Sequence, residues 1–343
     1  MQFFWQCSRS IVSENYFGPK KGVEMKRVYI CNTVYQVLIS LLKMDFKKDT
    51  LLSVGIVKNF PNLRKELMSY VKLVEVEENL FGLRSILKVR EKKEWLLFFR
   101  NFDEVIIFLD HRQLGHFLNK HRISYSLMED GYNFYKDKRV LDLDTMHPSF
   151  LKRILYRWYF RPTTLIGSSP YCQSIEVNDI KLVHEDKAYK PFVEVSRKQL
   201  FETISQDKLE SLIQIFGVKT IFDKNKVSEK KSLLLLTQPL SWEYYVTDEE
   251  RLEIYQAGLA PYRKEYKIYI KPHPRDNLDY SVLGEDTITL PQGVPIELFE
   301  LAGNMHFEVG MTYSSSSMDY LNCFDEKVFL YEKFPLSSKT KIE

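Results

Sequence analysis

The segment Lys271-Pro272-His273-Pro274-Arg275 follows directly on the apolar run Tyr266–Ile270 (YKIYI). Each proline locks its own φ and restricts the residue before it, so the imidazole of His273 is held in one direction between two cations. That makes a prepared anion site, although a rigid surface turn would read the same way, and the dipeptide His147-Pro148 occurs elsewhere in the chain. Further on, Pro295-Ile296-Glu297 marks a helix start, and Val309-Gly310-Met311-Thr312-Tyr313 runs into Ser314-Ser315-Ser316-Ser317. Hydroxyls and the N–H groups of a helix start bind phosphate, and the plain alternative is a helix cap with spare polar residues. In the first half, Glu129-Asp130-Gly131 places two carboxylates after an apolar strand. A carboxylate within reach of a hydroxyl can take its proton; an acidic surface turn closed by glycine is the alternative.

The elements that must position these groups alternate between short apolar or β-branched runs and helical segments, the pattern of parallel βαβ units. Arg27–Cys31 reads as the first strand and Val34–Lys43 as a helix with Thr33 as N-cap, followed by strands at 51–57, 104–109 and 123–127. A long helix is expected over about 197–216, then a polar stretch at 219–231. The second half repeats the pattern, with strands at 233–236, 266–270, 287–290, 306–309 and 327–331 and a helix at 248–262. The expected organisation is an extension at 1–24 with Met25 as a candidate start, and two Rossmann-like α/β domains, 25–228 and 229–343. The two open sheets are expected to face each other across a cleft, with ligands beyond the carboxyl ends of their strands.

Composition supports this frame and excludes other classes. A chain of 343 residues with 44% hydrophobic and 28% charged residues is globular and long enough for two cores. With 49 basic against 46 acidic residues there is no global field to recruit nucleic acid. The four cysteines, Cys7, Cys31, Cys172 and Cys323, have neither zinc-site spacing nor disulfide density, which suggests a reducing cytoplasmic compartment. No apolar run reaches the ~18 residues of a membrane span.

Taken together and in this order, the motifs resemble those of bacterial sialyltransferases: Glu129-Asp130-Gly131 their D/E-D/E-G motif, His273-Pro274 their HP motif, and Ser314–Ser317 their serine motif. The opening Cys31-Asn32-Thr33-Val34-Tyr35-Gln36 is similar to the start of glycosyltransferase family 52, the lipooligosaccharide and capsule sialyltransferases, and the likeness runs from about Lys26 to Tyr331. The resemblance implies a GT-B fold, with an acceptor-side N-terminal domain and a nucleotide-binding C-terminal domain. It also implies inverting transfer of sialic acid from CMP-sialic acid to a galactose-terminated, lipid-linked glycan at the inner face of the membrane, without a metal. On this pattern His273 is the general acid on the departing phosphate, Lys271 and Pro274 lie by the nucleotide, Glu297 binds ribose hydroxyls, and Ser314, Ser315 and Ser316 hold phosphate. Asn32 and Thr33 fall to the acceptor. One departure concerns the base: the loop Thr237-Gln238-Pro239-Leu240-Ser241-Trp242-Glu243 lacks the aspartate some relatives carry, so the role passes to Asp130 or Glu129, with Glu243 in reserve. A transferase using another nucleotide sugar, and a non-catalytic nucleotide-binding protein, are the competing readings.

Three further features attract other assignments. Asp142-Leu143-Asp144 imitates a metal-binding DxD motif but follows a charged segment rather than a buried strand. His111, His116 and His121 lack zinc spacing and are expected on a solvated helix. The segment 151–161 (LKRILYRWYFR) aligns Arg153, Arg157 and Arg161 beside a stripe of Leu151, Ile154, Leu155 and Trp158. Packing of that stripe on the core is the first expectation; contact with an anionic membrane is the second.

Overall fold

The structure is a computed structural model of the chain and describes residues 25–81, 89–130, 149–160, 165–183, 190–218, 231–242, 244–302, 306–315 and 317–339. Outside these lie the 1–24 extension, Gly131, the Asp142–Asp144 motif, His147-Pro148, most of the expected boundary at 219–231, Glu243 and Ser316. The strands are β1 (Arg27–Cys31), β2 (Thr50–Val54), β3 (Lys72–Val76), β4 (Glu104–Ile107), β5 (Tyr125–Met128), β6 (Cys172–Val177), β7 (Phe192–Glu194), β8 (Lys231–Leu236), β9 (Tyr266–Lys271), β10 (Ile288–Thr289), β11 (Phe307–Thr312) and β12 (Phe324–Phe329). The helices are α1 (Val34–Lys43), α2 (Pro61–Tyr70), α3 (Val89–Arg100), α4 (Gln113–Lys120), α5 (Phe150–Phe160), α6 (Arg197–Glu202), α7 (Gln206–Ile215), α8 (Asp248–Leu259), α9 (Ile296–Leu301) and α10 (Ser317–Tyr320).

Two sheets result, a seven-stranded one in the order β3-β2-β1-β4-β5-β6-β7 and a five-stranded one in the order β10-β9-β8-β11-β12. The pairings that define their registers are parallel, as the βαβ pattern requires. Internal contacts group the chain into two compact units, Met1–Tyr29 with Asn79–Glu129 and Asp137–Val195, and Ile30–Glu78 with Asp130–Lys136 and Ser196–Glu343.

The sheets form because their central strands are apolar on both faces. In β8 Leu233, Leu234 and Leu235 are fully buried; Leu233 and Leu235 meet Ile254, Tyr255 and Leu259 of α8, together with Ile268, Ile270, Val309 and Met311. Each such leucine contributes about 1.5–3 kcal/mol of burial. Gly258 lets α8 press against this face, since a Cβ there would stand 2.6 Å from Leu330 Cδ2. A complete capping box, Thr247 with Glu250, starts α8. In the other sheet, Thr33 caps α1 as expected, its hydroxyl accepting the Gln36 N–H. β2 stops at Val54, three residues before the expected end, because Gly55 turns the chain at φ +73° into a 3-10 turn over Val57–Asn59.

Several expectations need correction. The single helix expected over 197–216 is two, because α6 ends at Glu202 and Ser205 begins α7 afresh. The last strand is β12 at 324–329 rather than 327–331, since residues 330–332 turn into a 3-10 helix. The helix carrying His116 is not solvated: α4 buries Leu114, Gly115, His116, Phe117 and Leu118, and burial pushes the His116 imidazole down to about 3. His111 is half-buried and pushed down to about 4 for the same reason, with Arg112 adding to it. The stripe on α5 does not pack on the core. Leu151 is 77% exposed and Trp158 74%, with Phe150, Ile154 and Leu155 exposed beside them.

Candidate active site

The order β9-β8-β11 puts three strand ends side by side, and each ends in one of the loops singled out by its chemistry. The central loop, Thr237-Gln238 after β8, ties its two neighbours together. On one side the Thr237 N–H donates to Lys271 O, and Thr237 Oγ1 accepts the His273 N–H at 3.2 Å. On the other, Gln238 Oε1 accepts the Ser314 N–H at 2.8 Å, while Thr312 Oγ1 donates to Leu236 O and accepts the Ser315 N–H. His273 and the serine turn are therefore held to one two-residue segment.

That segment is anchored from below. The Gln238 N–H donates to the hydroxyl of buried Tyr255, and Gln238 O accepts from Arg251 Nη1 at 3.1 Å. Arg251 reaches on to form a two-pronged pair with the Asp276 carboxylate, both bonds at 3.2 Å, with the two side chains 3% and 2% exposed. Tyr280 Oη and the Leu278 N–H also donate to Asp276. The desolvated Asp276 carboxylate is thus paired and hydrogen-bonded, while Nε of Arg251 stays buried without a hydrogen bond. The Asp276 N–H closes the turn by donating to His273 O, and the Gln292 carboxamide bonds the carbonyls of His273 and Asp276.

His273 is half-buried, and its Nδ1 accepts the Arg275 N–H at 3.2 Å. With Nδ1 an acceptor, the proton of the neutral ring sits on Nε2. Burial first, then the charges of Arg275 and Lys271, push the imidazole down to about 4, against a smaller opposing pull from Asp276. An anion arriving at Nε2 would favour the imidazolium, whose second proton, on Nδ1, replaces the bond from the Arg275 N–H.

Lys271 points inward rather than over the turn. Its ammonium is buried and donates to the carbonyls of Pro272 and Gln292 at 3.0 and 3.2 Å. Burial pulls it down to about 7, partly offset by Glu297, whose own carboxyl burial raises. The two interact near the carboxyl end of β9, with Glu297 in the first turn of α9 and Pro295 as N-cap. Pro274 is half-buried beside His273. Ser314 and Ser315 are half-buried on the turn before α10. That helix is one turn long, so the hydroxyls and turn amides are its chemistry, not a helix dipole.

The carboxylates after β5 divide their roles. Glu129 is buried, and its Oε2 accepts the Asn178 N–H at 2.8 Å, a strut between neighbouring strand ends. Asp130 is half-buried, and its Oδ1 accepts from Gln36 Nε2 at 2.5 Å; Gln36 Oε1 in turn accepts the Asn32 N–H at 2.6 Å. Thr33 is engaged by its hydroxyl in capping α1. Among the described residues no group of three or more His, Cys, Asp or Glu side chains is arranged to hold a metal, and no helix is long and apolar enough to cross a membrane.

Reading the sequence missed Thr237, Gln238 and Gln36. The first two were visible as the loop after the central strand, but only the strand order reveals that it lies between the other two. Gln36 was visible as one of two polar residues, with Ser40 one turn on, on the buried face of α1.

Comparison with known proteins identifies the family and the fold. An uncharacterized protein of Haemophilus influenzae is 28% identical over 131 residues, 38% of this chain and 40% of that protein, so the chain spans less than half of that relative's length. Among solved structures, an α/β-galactoside α-2,3-sialyltransferase of Photobacterium phosphoreum matches with a TM-score of 0.53 at 12% identity, over 88% of this chain and 90% of its own. A UDP-GlcNAc 2-epimerase of Neisseria meningitidis matches with a TM-score of 0.47 at 12% identity, over 85% and 78%. The first likeness identifies the fold as GT-B. Residues 59–332 match the model of glycosyltransferase family 52, and the chain belongs to that family of transferases.

Proposed function

We propose that the protein is an inverting sialyltransferase, moving sialic acid from CMP-sialic acid to the galactose end of a bacterial capsular or lipooligosaccharide glycan. The observation that carries this reading is the pairing of the His273 turn and the serine turn on the Thr237-Gln238 segment, with the imidazole proton on Nε2. Such a site suits a single phosphate that leaves with a proton, as CMP does. Family membership and the galactoside sialyltransferase named among the structural matches support it.

In this mechanism an acceptor hydroxyl attacks the anomeric carbon of sialic acid as the bond to the CMP phosphate breaks. Asp130 takes the hydroxyl proton, and His273, protonated once the anionic donor is bound and its Nδ1 is released from Arg275, gives its Nε2 proton to the phosphate oxygen and is left as the neutral imidazole. Glu129, committed to Asn178, supports the turn. Ser314, Ser315 and Pro274 line the phosphate, Glu297 accepts hydrogen bonds from the ribose hydroxyls, and Asn32 and Thr33 face the acceptor. No metal is required, because protonation rather than a Lewis acid stabilises the leaving group. The exposed apolar stripe of α5, flanked by exposed Arg157, suits the anionic inner face of a membrane, where a lipid-linked acceptor is presented.

The test is transfer and hydrolysis of CMP-sialic acid with and without a galactoside, followed by mass spectrometry, with UDP-sugars as controls and EDTA in a parallel series. Galactoside-dependent release of CMP that EDTA leaves unchanged is the expected result. Turnover of a UDP-sugar instead, or strict dependence on Mg²⁺ or Mn²⁺, would overturn the reading.

A further inference from the structure

We propose that Gln36 is a positioning residue for Asp130, a buried carboxamide that fixes the direction of the carboxylate and favours its ionised form. The inference rests on Asp130 acting as the base. Gln36 lies in the first turn of α1, 94 positions away from Asp130 in the chain, and its side chain is fully buried.

The orientation of the amide is not a matter of choice. A backbone N–H can only donate, so the 2.6 Å bond from Asn32 requires Gln36 Oε1 on that side. The NH₂ group must then face Asp130, where it donates to Oδ1 at 2.5 Å. The backbone of Gln36 is pinned as well, its N–H donating to Thr33 Oγ1. Gln36 is thus held at two points, one on its carboxamide and one on its backbone, before it meets the carboxylate. A flipped amide would set a carbonyl oxygen against the carboxylate and orphan the Asn32 N–H, both costly in a buried place.

A donor held in this way has two effects on a carboxylate. It fixes the plane of the group by holding one oxygen, and it lowers the affinity for a proton, because the bond is stronger to the anion than to the acid. The groups around Asp130 make the second effect useful. Cys31 carries no charge, its buried thiol being pushed up to about 12, with the charge of Asp130 contributing. Glu129 is the adjacent residue in the chain, and a second negative charge there favours protonation of Asp130. The first turn of the ten-residue α1 works with Gln36 in the opposite sense.

The experiment measures kcat/KM against pH, with CMP-sialic acid and a galactoside, for the wild-type protein, Gln36→Leu, Gln36→Glu and Asp130→Asn. Gln36→Leu is expected to lower kcat about 10- to 100-fold, as misaligned reacting groups do, with donor KM within about two-fold. Its acidic limb should move up by about one pH unit as the donor to the carboxylate is lost. Gln36→Glu, of nearly the same shape, should move the limb further up, because a second carboxylate faces the first. It also carries the readout should the leucine variant fold poorly, which circular dichroism reports. A limb that stays in place in both variants, whatever happens to kcat, overturns the proposal and leaves Gln36 a packing residue. Wild-type activity in Asp130→Asn instead removes Asp130 as the base, so failure of that reading is distinguished from failure of the role given to Gln36.

Discussion

Replacing Arg251 with methionine tests whether the His273 and serine turns depend on the buried pair beneath them. Methionine fills much of the arginine stem's volume, so the change isolates the guanidinium. In the wild-type protein Arg251 gives two bonds to Asp276 at 3.2 Å and one to Gln238 O at 3.1 Å; its bond to Asp248 reaches a side chain that is 56% exposed. The exposed pair contributes less than about 1 kcal/mol. The buried one matters more: Asp276, 2% exposed, would keep Tyr280 and Leu278 but lose its countercharge, a loss of about 3–5 kcal/mol. For 343 residues melting together, at about 2.1 cal/mol/K per residue, the entropy at the midpoint is ~0.7 kcal/mol/K, so Tm should fall by about 4–7 °C. Arg251→Met with Asp276→Asn removes the stranded charge and should recover more than half of that fall. Scanning fluorimetry of the two single variants and the double variant closes the cycle, and CMP titration reads the effect on the site. A fall below about 1 °C in Arg251→Met, or a double variant as unstable as the sum of the singles, would refute the claim that this pair supports the turns.

His273→Ala should lower kcat by roughly 10²-fold or more with a smaller effect on CMP binding, measured by steady-state kinetics and calorimetry, because protonation of the phosphate matters as the bond breaks. In His273→Gln the fall in Tm on acidification should shrink: an imidazole depressed to about 4 contributes stability above pH 6.5 that is lost as pH falls through 4, and melting curves from pH 7 to 4 check this. Asp110 has the opposite sign. Burial raises its carboxyl to about 6 against the bonds from Tyr125 Oη and Gly167 N–H, so its contribution is full below pH 3.8 and lost as pH rises through 6. Asp110→Asn should therefore gain on the wild type by up to about 3 kcal/mol by pH 7 while matching it near pH 3.5, and a constant difference between the two melting curves would exclude it. Glu297→Ala should raise the donor KM more than it lowers kcat, since ribose is held in the ground state as well as the transition state; the reverse split would assign Glu297 another task.

The alternation of apolar runs and helices made the central strands legible, because parallel strands buried on both faces read as unbroken runs, as LLLL at 233–236 and VII at 105–107 do. β3, β6 and β7 were not legible: KLVEV alternates apolar and charged residues at the sheet edge, where one neighbour is missing, CQSIEV mixes polar and apolar residues, and β7 is three residues long. The break between α6 and α7 was hidden because Thr203-Ile204-Ser205 carries no proline or glycine, and only Ser205 hints at a new N-cap. The exposure of the α5 stripe could not be read from a helical period, which says that one face is apolar but not what lies opposite it. In the site, His273, the serines and the acidic turn were legible as motifs. The hydrogen bonds between them were not, since Gln238 to Ser314 spans 76 positions and Gln36 to Asp130 spans 94.

Because Thr237 and Gln238 are consecutive residues holding the two turns by separate bonds, neither turn can shift without pulling on the other's anchor. Retargeting this enzyme to a different leaving group is therefore an epistatic problem. On the proposed mechanism, a substitution that widens the serine turn for a second phosphate would also displace the imidazole proposed to protonate it. Such gains in binding would arrive with losses in turnover until a compensating change appears at position 237 or 238. A library that varies Ser314, Ser315, Thr237 and Gln238 together explores the accessible routes, whereas one that varies the serines alone should accumulate tight-binding, slow variants.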